Sequence, residues 1–377
     1  MRMVFCSNVG GGVFGEGQVC AWNALGFDAR LHHAVDLADY WRKKSGLWSK
    51  FQLRWGMYAR YPLALRDAAR KAEPGDILVA VTNPFFGPAL AARSRRANGA
   101  KVVHLVYDLY PDALMFGGGK SARHPASRFA AHTTRSAIRR CDATVYLGDR
   151  LRSYAEATYG VAPITAVIPV GTDVTVFAGS GPTARERAEV HCLYSGHMGR
   201  LHEWETLQLA FAAGVPKGIV CELAADGPGA NALKKGLANV AARSPQQLKF
   251  AGTRGKAEWR DAMLDADVAL VTMRPGAEKV VMPSKTYSAM AAGQAILAVC
   301  PAESDLADLV RKHDCGWVVE PGDAVGLRRA CDEAVRDRGG LLGKRRRAWD
   351  AAQALYSMEA TAKQWHELFR ALADDRV

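Results

Sequence analysis

Residues 282–298 read MPSKTYSAMAAGQAILA, and no other stretch indicates the fold as clearly. Pro283 ends the preceding element, and Ser284 is placed to cap the free N–H groups of the helix that Lys285 begins. Gly293 is placed to end that helix, and the apolar run after it predicts a buried strand. A helix start that carries a lysine and free N–H groups suits an anion. The stretch therefore predicts an αβ unit of a parallel sheet, either an ordinary one or one that binds an anion.

Length and composition are those of a globular protein with two domains. The 377 residues are enough for two separate cores, and 49% hydrophobic with 23% charged residues is ordinary for this class. No apolar run reaches the roughly 18 residues of a membrane-spanning helix, and the N-terminus lacks the long apolar region of a signal peptide. The eight cysteines form no Cys-x-x-Cys pair. We therefore expect buried free thiols in a cytoplasmic protein, and no metal site.

Buried strands alternate with helical stretches in both halves of the chain. Apolar runs at residues 3–6, 77–82, 102–107 and 143–147 predict parallel strands in the first half. A second alternating series extends from residue 191 to about 347, after a small, flexible linker at 179–183. The pattern predicts an α/β protein with two doubly wound parallel sheets. Their ligand is expected in the cleft between them, at the carboxyl ends of the strands.

Further segments occur in an order that is known from one family. CLYSGHMGRLHEWETL occupies residues 192–207, VCELAADGPG follows at 220–229, and VIPVGTD stands earlier at 167–173. Together with the Pro-Ser-Lys segment, they resemble the family 4 retaining glycosyltransferases of the GT-B fold, in the bacterial branch that builds surface polysaccharides. The resemblance implies two Rossmann-like domains, 1–180 and 181–356, and a C-terminal helix, 357–377, that crosses back onto the N-terminal domain.

The resemblance also implies the donor, a nucleoside diphosphate sugar, and no cofactor or metal. A diphosphate requires free backbone N–H groups and cations. Arg200 and Lys285 stand where family members place basic side chains, although either one could be a plain surface cation. The implied donor contacts are Gly11, Gly12, Gly196, His197, Gly199, Arg200, Glu278, Pro283, Ser284, Lys285 and Ser288. The glycine-rich loop after the first strand is a poor match to an NAD fingerprint, so NAD is not favoured.

The chain departs from the family at one pair of positions. Many family members carry two glutamates eight positions apart, and the second usually binds the ribose of the donor. Val280 and Ser288 occupy those positions here. Ser288 can make one hydrogen bond but no bidentate carboxylate contact. Glu278 either binds sugar hydroxyls or is a plain loop charge. Two alternatives to a transferase therefore stay open, a nucleotide-sugar-binding protein without transfer activity and a nucleotide-sugar epimerase.

The acceptor is expected on the side of the first domain, as a saccharide or a lipid-linked saccharide. Asp108 follows a buried strand and would face the cleft from its carboxyl end. Related enzymes carry a similar aspartate-leucine-aromatic-proline segment, so Asp108 could orient or deprotonate the acceptor hydroxyl, or it could cap the following turn. Asp112 is a second candidate. The expected catalytic residues are Asp108, Arg200 and Lys285, which would position groups and stabilise charge on the departing diphosphate.

Residues 40–70 combine aromatic and basic side chains, in a chain of net charge +12. Asp67 is the one acid, and five aromatics recur at helical spacing: Trp41, Trp48, Phe51, Trp55 and Tyr58. Such a face suits an anionic membrane, which predicts a cytoplasmic protein attached at the inner surface. The alternative is that the stripe packs into a core, with Gly46 and Gly56 weakening the helix. Nucleic-acid binding is not favoured, because no recognised module accompanies the stretch.

Overall fold

The computed structural model describes residues 2–11, 13–36, 47–96, 99–177, 179 and 181–374. The first half contains eight described strands: β1 (Arg2–Cys6), β2 (Val9–Gly10), β3 (Asp28–His32), β4 (Val35–Asp36), β5 (Ile77–Val81), β6 (Lys101–Leu105), β7 (Ala143–Tyr146) and β8 (Ile164–Val167). Six of them form one parallel sheet in the order β3-β1-β5-β6-β7-β8, and β2 pairs with β4 in a separate parallel ribbon. The four strands predicted from apolar runs are therefore confirmed, each within about two residues.

The second half contains a second parallel sheet of six strands: β9 (Val190–His197), β10 (Ile219–Asp226), β11 (Leu248–Ala251), β12 (Val268–Thr272), β13 (Ala295–Val299) and β14 (Gly316–Val319). Their spatial order is β11-β10-β9-β12-β13-β14. Strands β5, β12 and β13 are buried along their whole length, because helices cover both faces of each sheet. The predicted pair of doubly wound sheets is confirmed.

Helices connect these strands. In the first half they are Gln18–Ala24, Leu47–Trp55, Tyr61–Lys71, Gly87–Ser94, Pro125–Arg140 and Asp149–Tyr159, with π-helical turns at Val13–Gly17, Gly56–Arg60 and Ala113–Gly117. In the second half they are Glu205–Phe211, Pro228–Gly236, Ala238–Arg243, Lys256–Asp265, Lys285–Ala291, Asp305–Lys312, Ala324–Arg336, Arg338–Leu355 and Met358–Asp374, with 3-10 turns at Val174–Phe177 and Ala277–Lys279. All eight cysteines are free thiols, and seven of them are buried.

The Pro-Ser-Lys segment forms the expected helix, Lys285–Ala291, between β12 and β13. Gly293 ends the segment with φ +71, a left-handed conformation that glycine adopts at little cost. The predicted cap at Ser284 is wrong. Ser284 has helical backbone angles, φ −62 and ψ −27, and its side chain accepts no capping hydrogen bond. A serine hydroxyl reaches the next N–H groups from an extended backbone, which Ser284 does not adopt.

The last helix, Met358–Asp374, crosses back onto the first half, as the resemblance implied. The rings of Trp365 and Phe369 lie 5.3 and 5.1 Å from the ring of Trp22, centre to centre. All three side chains are buried. Burial of large aromatic side chains in edge-to-face contact is strongly stabilising, so this helix ties the end of the chain to the N-terminal sheet. The exact domain boundaries at 180 and 356 stay predictions.

The basic aromatic stretch forms one helical rod, whose regular α-helical part is interrupted at Gly56, the position where weakening was expected. The helix Leu47–Trp55 passes through a π-helical turn into Tyr61–Lys71. Gly56 is buried, and a β-carbon at this position would lie 3.2 Å from Cγ2 of Val35. The glycine therefore permits close packing of the rod against β4, and that contact compensates for its low helix propensity. Trp41 and Gly46 lie outside the described residues.

Among the described helices, none has both the length and the apolar character that a bilayer-spanning segment requires.

Candidate functional site

The end of β9 and the loop that follows it, together residues 196–200, lie at the carboxyl edge of the second sheet and are held by hydrogen bonds and close packing. The backbone N–H of Met198 donates to the carbonyl oxygen of Asp226 at the end of β10, at 2.8 Å. Gly196 has φ +105, and Gly227 has φ +99. A β-carbon on Gly227 would lie only 2.7 Å from the imidazole of His197. The glycines therefore let two strand ends and their loops approach each other closely.

Lys285 connects the start of its helix to this loop. Its ammonium donates to the hydroxyl of Tyr194 at 2.7 Å and to the carbonyl oxygen of His197 at 3.2 Å. The same ammonium lies 4.1 Å from the centre of the Tyr194 ring. Burial lowers the pKa of Lys285 to about 7, and the carboxylate of Asp226 partly opposes this shift. Its charge is therefore sensitive to any anion that enters.

Two histidines and one carboxylate complete the surroundings of the loop. The Nδ1 atom of His197 lies 2.6 Å from a carboxylate oxygen of Asp226. The Nδ1 atom of His202 accepts from the backbone N–H of Gly199 at 3.1 Å. Burial, followed by the nearby Lys285, lowers the pKa of His202 to about 3. His202 is therefore neutral at pH 7, as its role as an acceptor requires.

Arg200 lies at the end of the loop and is exposed. Its guanidinium is directed at the first half of the chain, with Nη1 at 3.5 Å from the carbonyl oxygen of Gly117. Arg274 supports the loop from behind, because its guanidinium donates to Glu205 at 2.9 Å and covers the ring of Trp204. Arg200 and Lys285 thus belong to the same loop-and-helix unit, one exposed to the cleft and one partly buried beneath it.

The two halves touch beside this unit. The backbone N–H of Leu109 donates to the carbonyl oxygen of Val280 at 3.0 Å. A β-carbon on Gly276 would lie 2.5 Å from the ring of Phe116, which shows how closely these segments pack. The segment that contains Asp108 and the segment that precedes Pro283 are therefore neighbours across the cleft.

Asp108 is half-buried at the carboxyl end of β6. The hydroxyl oxygen of Thr82 accepts from the backbone N–H groups of Tyr107 and Asp108, at 3.1 and 3.2 Å, and fixes this strand end. Burial raises the pKa of Asp108 to about 6. Among the residues that the structure describes, no backbone N–H of the following turn donates to its carboxylate. The turn-capping alternative is therefore not what the geometry shows.

Asp112, the second acidic candidate, is instead held by contacts within the first half of the chain. It is fully buried, and its two carboxylate oxygens accept hydrogen bonds from the hydroxyls of Tyr154, at 2.7 Å, and Tyr159. Both of its oxygens are used within the first half of the chain. A group with this burial and these partners holds the helix Asp149–Tyr159 in place and is not available to a substrate.

Ser288, at the ribose-binding glutamate position of the family, lies 3.3 Å from the hydroxyl oxygen of Thr172, atom Oγ to atom Oγ1. Thr172 belongs to the VIPVGTD segment, which connects the halves. Ser288 also lines a cavity of about 70 Å³ together with Ser195 and Lys285. The serine therefore faces the same region as the lysine, with a hydroxyl of the interdomain segment beside it.

The remaining predicted donor residues differ in position. Glu278 accepts from the backbone N–H of Gly276 at 2.7 Å, which matches the plain loop-charge alternative. Pro283 is buried. Gly11 has φ +96 and stands beside the β2–β4 ribbon at the carboxyl edge of the first sheet. Gly12 lies outside the described residues.

Sequence reasoning missed two residues of the site. Tyr194 contacts Lys285 with both its hydroxyl and its ring, and Thr82 holds the strand end at Asp108. Tyr194 stands in a strand pattern that predicted burial, but nothing in the pattern identified its partner. In the part of the chain that the structure describes, no group of three or more metal-ligating side chains is assembled.

The chain is similar in sequence to known proteins. Residues 10–171 match the model of the glycosyl transferase 4-like domain, and residues 190–337 match that of the glycosyl transferases group 1. The chain is similar to the probable glycosyltransferase WbjE from Pseudomonas aeruginosa, at 26% identity over 275 residues that cover 70% of this chain and 67% of WbjE.

Solved structures share the fold over nearly the whole chain. Sucrose-phosphate synthase from Thermosynechococcus elongatus superposes with a TM-score of 0.72 at 17% identity, and 99% of each chain is covered. HepE from Anabaena in complex with UDP-glucose gives a TM-score of 0.69 at 15% identity, with 98% of this chain and 100% of HepE covered. At such low identity the likeness concerns the fold.

Proposed function

The chain belongs to the GT-B glycosyltransferases, because its two halves match a glycosyl transferase 4-like domain and a glycosyl transferases group 1 domain, and we propose that it is a retaining enzyme of polysaccharide or glycoconjugate biosynthesis. It moves a sugar from a nucleoside diphosphate donor to a saccharide or to a lipid-linked saccharide. The similarity to WbjE, the probable glycosyltransferase of Pseudomonas aeruginosa, supports the transfer reaction. UDP-glucose is the first donor to test, because the structure of HepE in the same fold contains it.

The observation that carries this proposal is the contact of Lys285 with the loop after β9. The ammonium of Lys285 lies within hydrogen-bond distance of the His197 carbonyl oxygen, and Arg200 follows three residues later. A diphosphate that enters between them receives two cations, and the glycines of the loop permit its close approach. The donor phosphates would thus be held by protein cations alone, without a metal ion.

Charge stabilisation is the main chemical task in this proposal. When the bond between the anomeric carbon and the diphosphate breaks, negative charge develops on the phosphate oxygen that leaves. Arg200 and Lys285 stabilise this charge, and a fixed cation in a site of low polarity is more effective than water. The leaving phosphate oxygen takes the proton of the acceptor hydroxyl on the same face of the sugar, so the anomeric configuration is retained.

Asp108 orients the acceptor in this mechanism. Its carboxylate stands at the carboxyl end of β6, and the neighbouring Leu109 bonds to the segment that precedes the Pro-Ser-Lys helix. With a pKa near 6, the carboxylate is ionised at pH 7 and accepts a hydrogen bond from the acceptor hydroxyl. A saccharide hydroxyl placed between Asp108 and the donor sugar is oriented by the carboxylate, and its proton passes to the leaving phosphate oxygen.

The test is an activity assay with matched substitutions. Arg200→Ala and Lys285→Ala are expected to lose at least about a hundredfold in kcat/KM, the size of effect found for removal of one charge-stabilising group. The matched controls are Arg243→Ala and Lys235→Ala, which remove exposed cations on helices outside the site. NMR of the product reports the anomeric configuration. Full activity of both site variants would refute the proposal, and a product of inverted anomeric configuration would refute the retaining mechanism.

A second candidate function is donor binding without transfer, favoured by one contact. Ser288 replaces the ribose-binding carboxylate of the family and is directed at Thr172. If the serine does not hold the ribose, the donor binds without the orientation that transfer needs. Donor binding without product, in the presence of a panel of acceptors, would select this candidate. Ser288→Glu would then be expected to tighten donor binding.

A further inference from the structure

An exposed aromatic face lies on the helical rod that starts at Leu47. Its side chains are Trp48, Phe51, Trp55 and Tyr58, with exposures of 70%, 56%, 57% and 50%. The spacing of three, four and three residues places them along one side of the rod. The rings of Trp48 and Phe51 stack at 5.7 Å, centre to centre, and Phe51 and Trp55 stack at 6.5 Å. Such a contiguous apolar patch on a surface marks an interaction site.

Exposed cations accompany this aromatic face. The rod carries five exposed cations that form no ion pair with any residue that the structure describes: Lys50, Arg54, Arg60, Arg66 and Arg70. The acid of the rod, Asp67, is paired with Lys71 at 2.7 Å. Aromatic rings beside exposed cations are the pattern of a helix that lies in the interface of an anionic bilayer.

The position of the rod relates this face to the acceptor side of the cleft. The rod packs on β4, which pairs with β2 in the loop after the first strand. Beside this contact, a crevice of about 370 Å³ opens between the rod and β4, lined by Val35, Phe51, Trp55 and Arg60 among others. Tyr110 follows Asp108 by two residues, and its pKa is raised by burial, then by the carboxylate of Asp108 and then by Tyr58. Tyr110 is therefore within electrostatic reach of both the aromatic face and the acceptor carboxylate.

We propose that the face formed by Trp48, Phe51, Trp55 and Tyr58, with its flanking cations, docks onto a bilayer of anionic phospholipid. The aromatic rings enter the headgroup and acyl boundary, and the cations contact lipid phosphates. The positive charge favours this partner over a second copy of the chain, because a second copy would place the same cations opposite those of the first and the two sets would repel each other. The inference that docking presents the cleft at Asp108 to a lipid-linked acceptor rests on the proposed function, whereas the docking itself does not depend on it.

The test is co-flotation of the full chain with vesicles. The probes are vesicles of phosphatidylcholine and vesicles of phosphatidylcholine mixed with phosphatidylglycerol. The wild-type protein is expected to float with the anionic vesicles and to remain in the dense bottom fraction when only neutral vesicles are present. The combined variant Trp48→Ser, Phe51→Ser, Trp55→Ser is expected to lose about tenfold or more in partitioning. The double variant Lys50→Gln, Arg54→Gln is expected to lose about tenfold on anionic vesicles.

Matched controls come from the other half of the chain. Leu209 and Val325 are 61% and 68% exposed, so Leu209→Ser and Val325→Ser remove equally exposed apolar side chains elsewhere. Lys235→Gln and Arg243→Gln remove the same number of charges from exposed positions. These variants are expected to partition like the wild type. Circular dichroism and thermal unfolding establish that each variant is folded.

Three outcomes would overturn the proposal. They are absence of wild-type binding to anionic vesicles, equal partitioning of the aromatic variant and the wild type, and a wild-type dimer that the aromatic substitutions dissociate while no vesicle is bound. Vesicle binding requires neither donor nor turnover. A failure here therefore leaves sugar transfer standing, and a protein without transfer activity can still bind the vesicles.

Discussion

The ammonium of Lys285 lies 2.7 Å from the hydroxyl oxygen of Tyr194 and 4.1 Å from the centre of its ring. The tyrosine is buried at the centre of the second sheet, so the lysine has left most of its hydration to reach it. The dominant effect on the lysine is loss of solvation, which lowers its pKa to about 7. A group with this pKa is half protonated near neutral pH and gains its charge fully when an anion binds beside it.

Donor binding is therefore expected to take up a proton through Lys285. At pH 8 the ammonium is mostly deprotonated before binding, and the diphosphate favours its charged form, so binding of UDP-glucose should take up about one proton per donor. The donor is a phosphodiester without a pKa near neutrality. Isothermal titration calorimetry in buffers of different ionisation enthalpy measures the uptake. Lys285→Met serves as control and should show none, while equal uptake in the variant would exclude this role.

Turnover is expected to depend on the protonation of Asp108. Its pKa of about 6 in the folded protein means that the carboxylate is ionised above pH 6 and protonated below it. If the ionised carboxylate of Asp108 orients the acceptor hydroxyl, kcat/KM should rise with pH through about 6. Asp108→Asn should lower turnover about a hundredfold or more without weakening donor binding. A variant with an unchanged rate and pH profile would exclude Asp108 from the reaction.

Substitution of Asp112 should affect stability alone. The carboxylate accepts from Tyr154 and Tyr159 in a fully buried position, and Asp112→Ala leaves two hydroxyls without their acceptor. The free energy of unfolding should fall by about 2–4 kcal/mol, as measured by urea denaturation. Asp261→Ala, at an exposed position, is the control and should change stability little. An Asp112 variant of normal stability but without activity would show that this residue acts in the active site.

The two halves are also expected to be coupled through a helix start. The carboxylate of Asp305 accepts from the backbone N–H groups of Arg150 and Leu151, at 2.9 and 3.0 Å, and so caps a helix of the other half. Asp305→Ala should cost about 1–2 kcal/mol, as loss of an N-cap does. Hydrogen exchange of those two amides should accelerate. Glu189→Ala is the control, because it removes an exposed carboxylate of the second half away from this contact. Unchanged exchange at Arg150 and Leu151 would show that the cap contributes nothing.

The fold was accessible from sequence because its signals are local. Apolar runs bounded by turn residues predicted the strands, and Gly293 marked the end of its helix in the conformation that the structure shows, φ +71. The predicted crossing of the C-terminal helix came from the family resemblance, and the contact of Trp365 with Trp22 confirms it. Ser284 is the local signal that failed, because the residue type suits a cap but the backbone there is already helical.

The site was less accessible because its contacts join distant parts of the chain. Lys285 is 91 residues from its partner Tyr194, and Ser288 is 116 residues from Thr172. No local spacing predicts such pairs. Asp112 and Asp108 look alike in sequence, and only the folded contacts distinguish a buried carboxylate fixed by two tyrosines from a half-buried one at the cleft. The exposure of the aromatic face was likewise not decided by its spacing, since a buried stripe has the same period.

A crystal structure of the wild-type protein with UDP would show whether Arg200 and Lys285 together hold the diphosphate of the donor. Phosphate oxygens are expected within about 3 Å of the Lys285 ammonium and of the Arg200 guanidinium, the distance of charge-assisted hydrogen bonds. A diphosphate bound elsewhere, with Lys285 still on Tyr194 and Arg200 in solvent, would contradict this expectation.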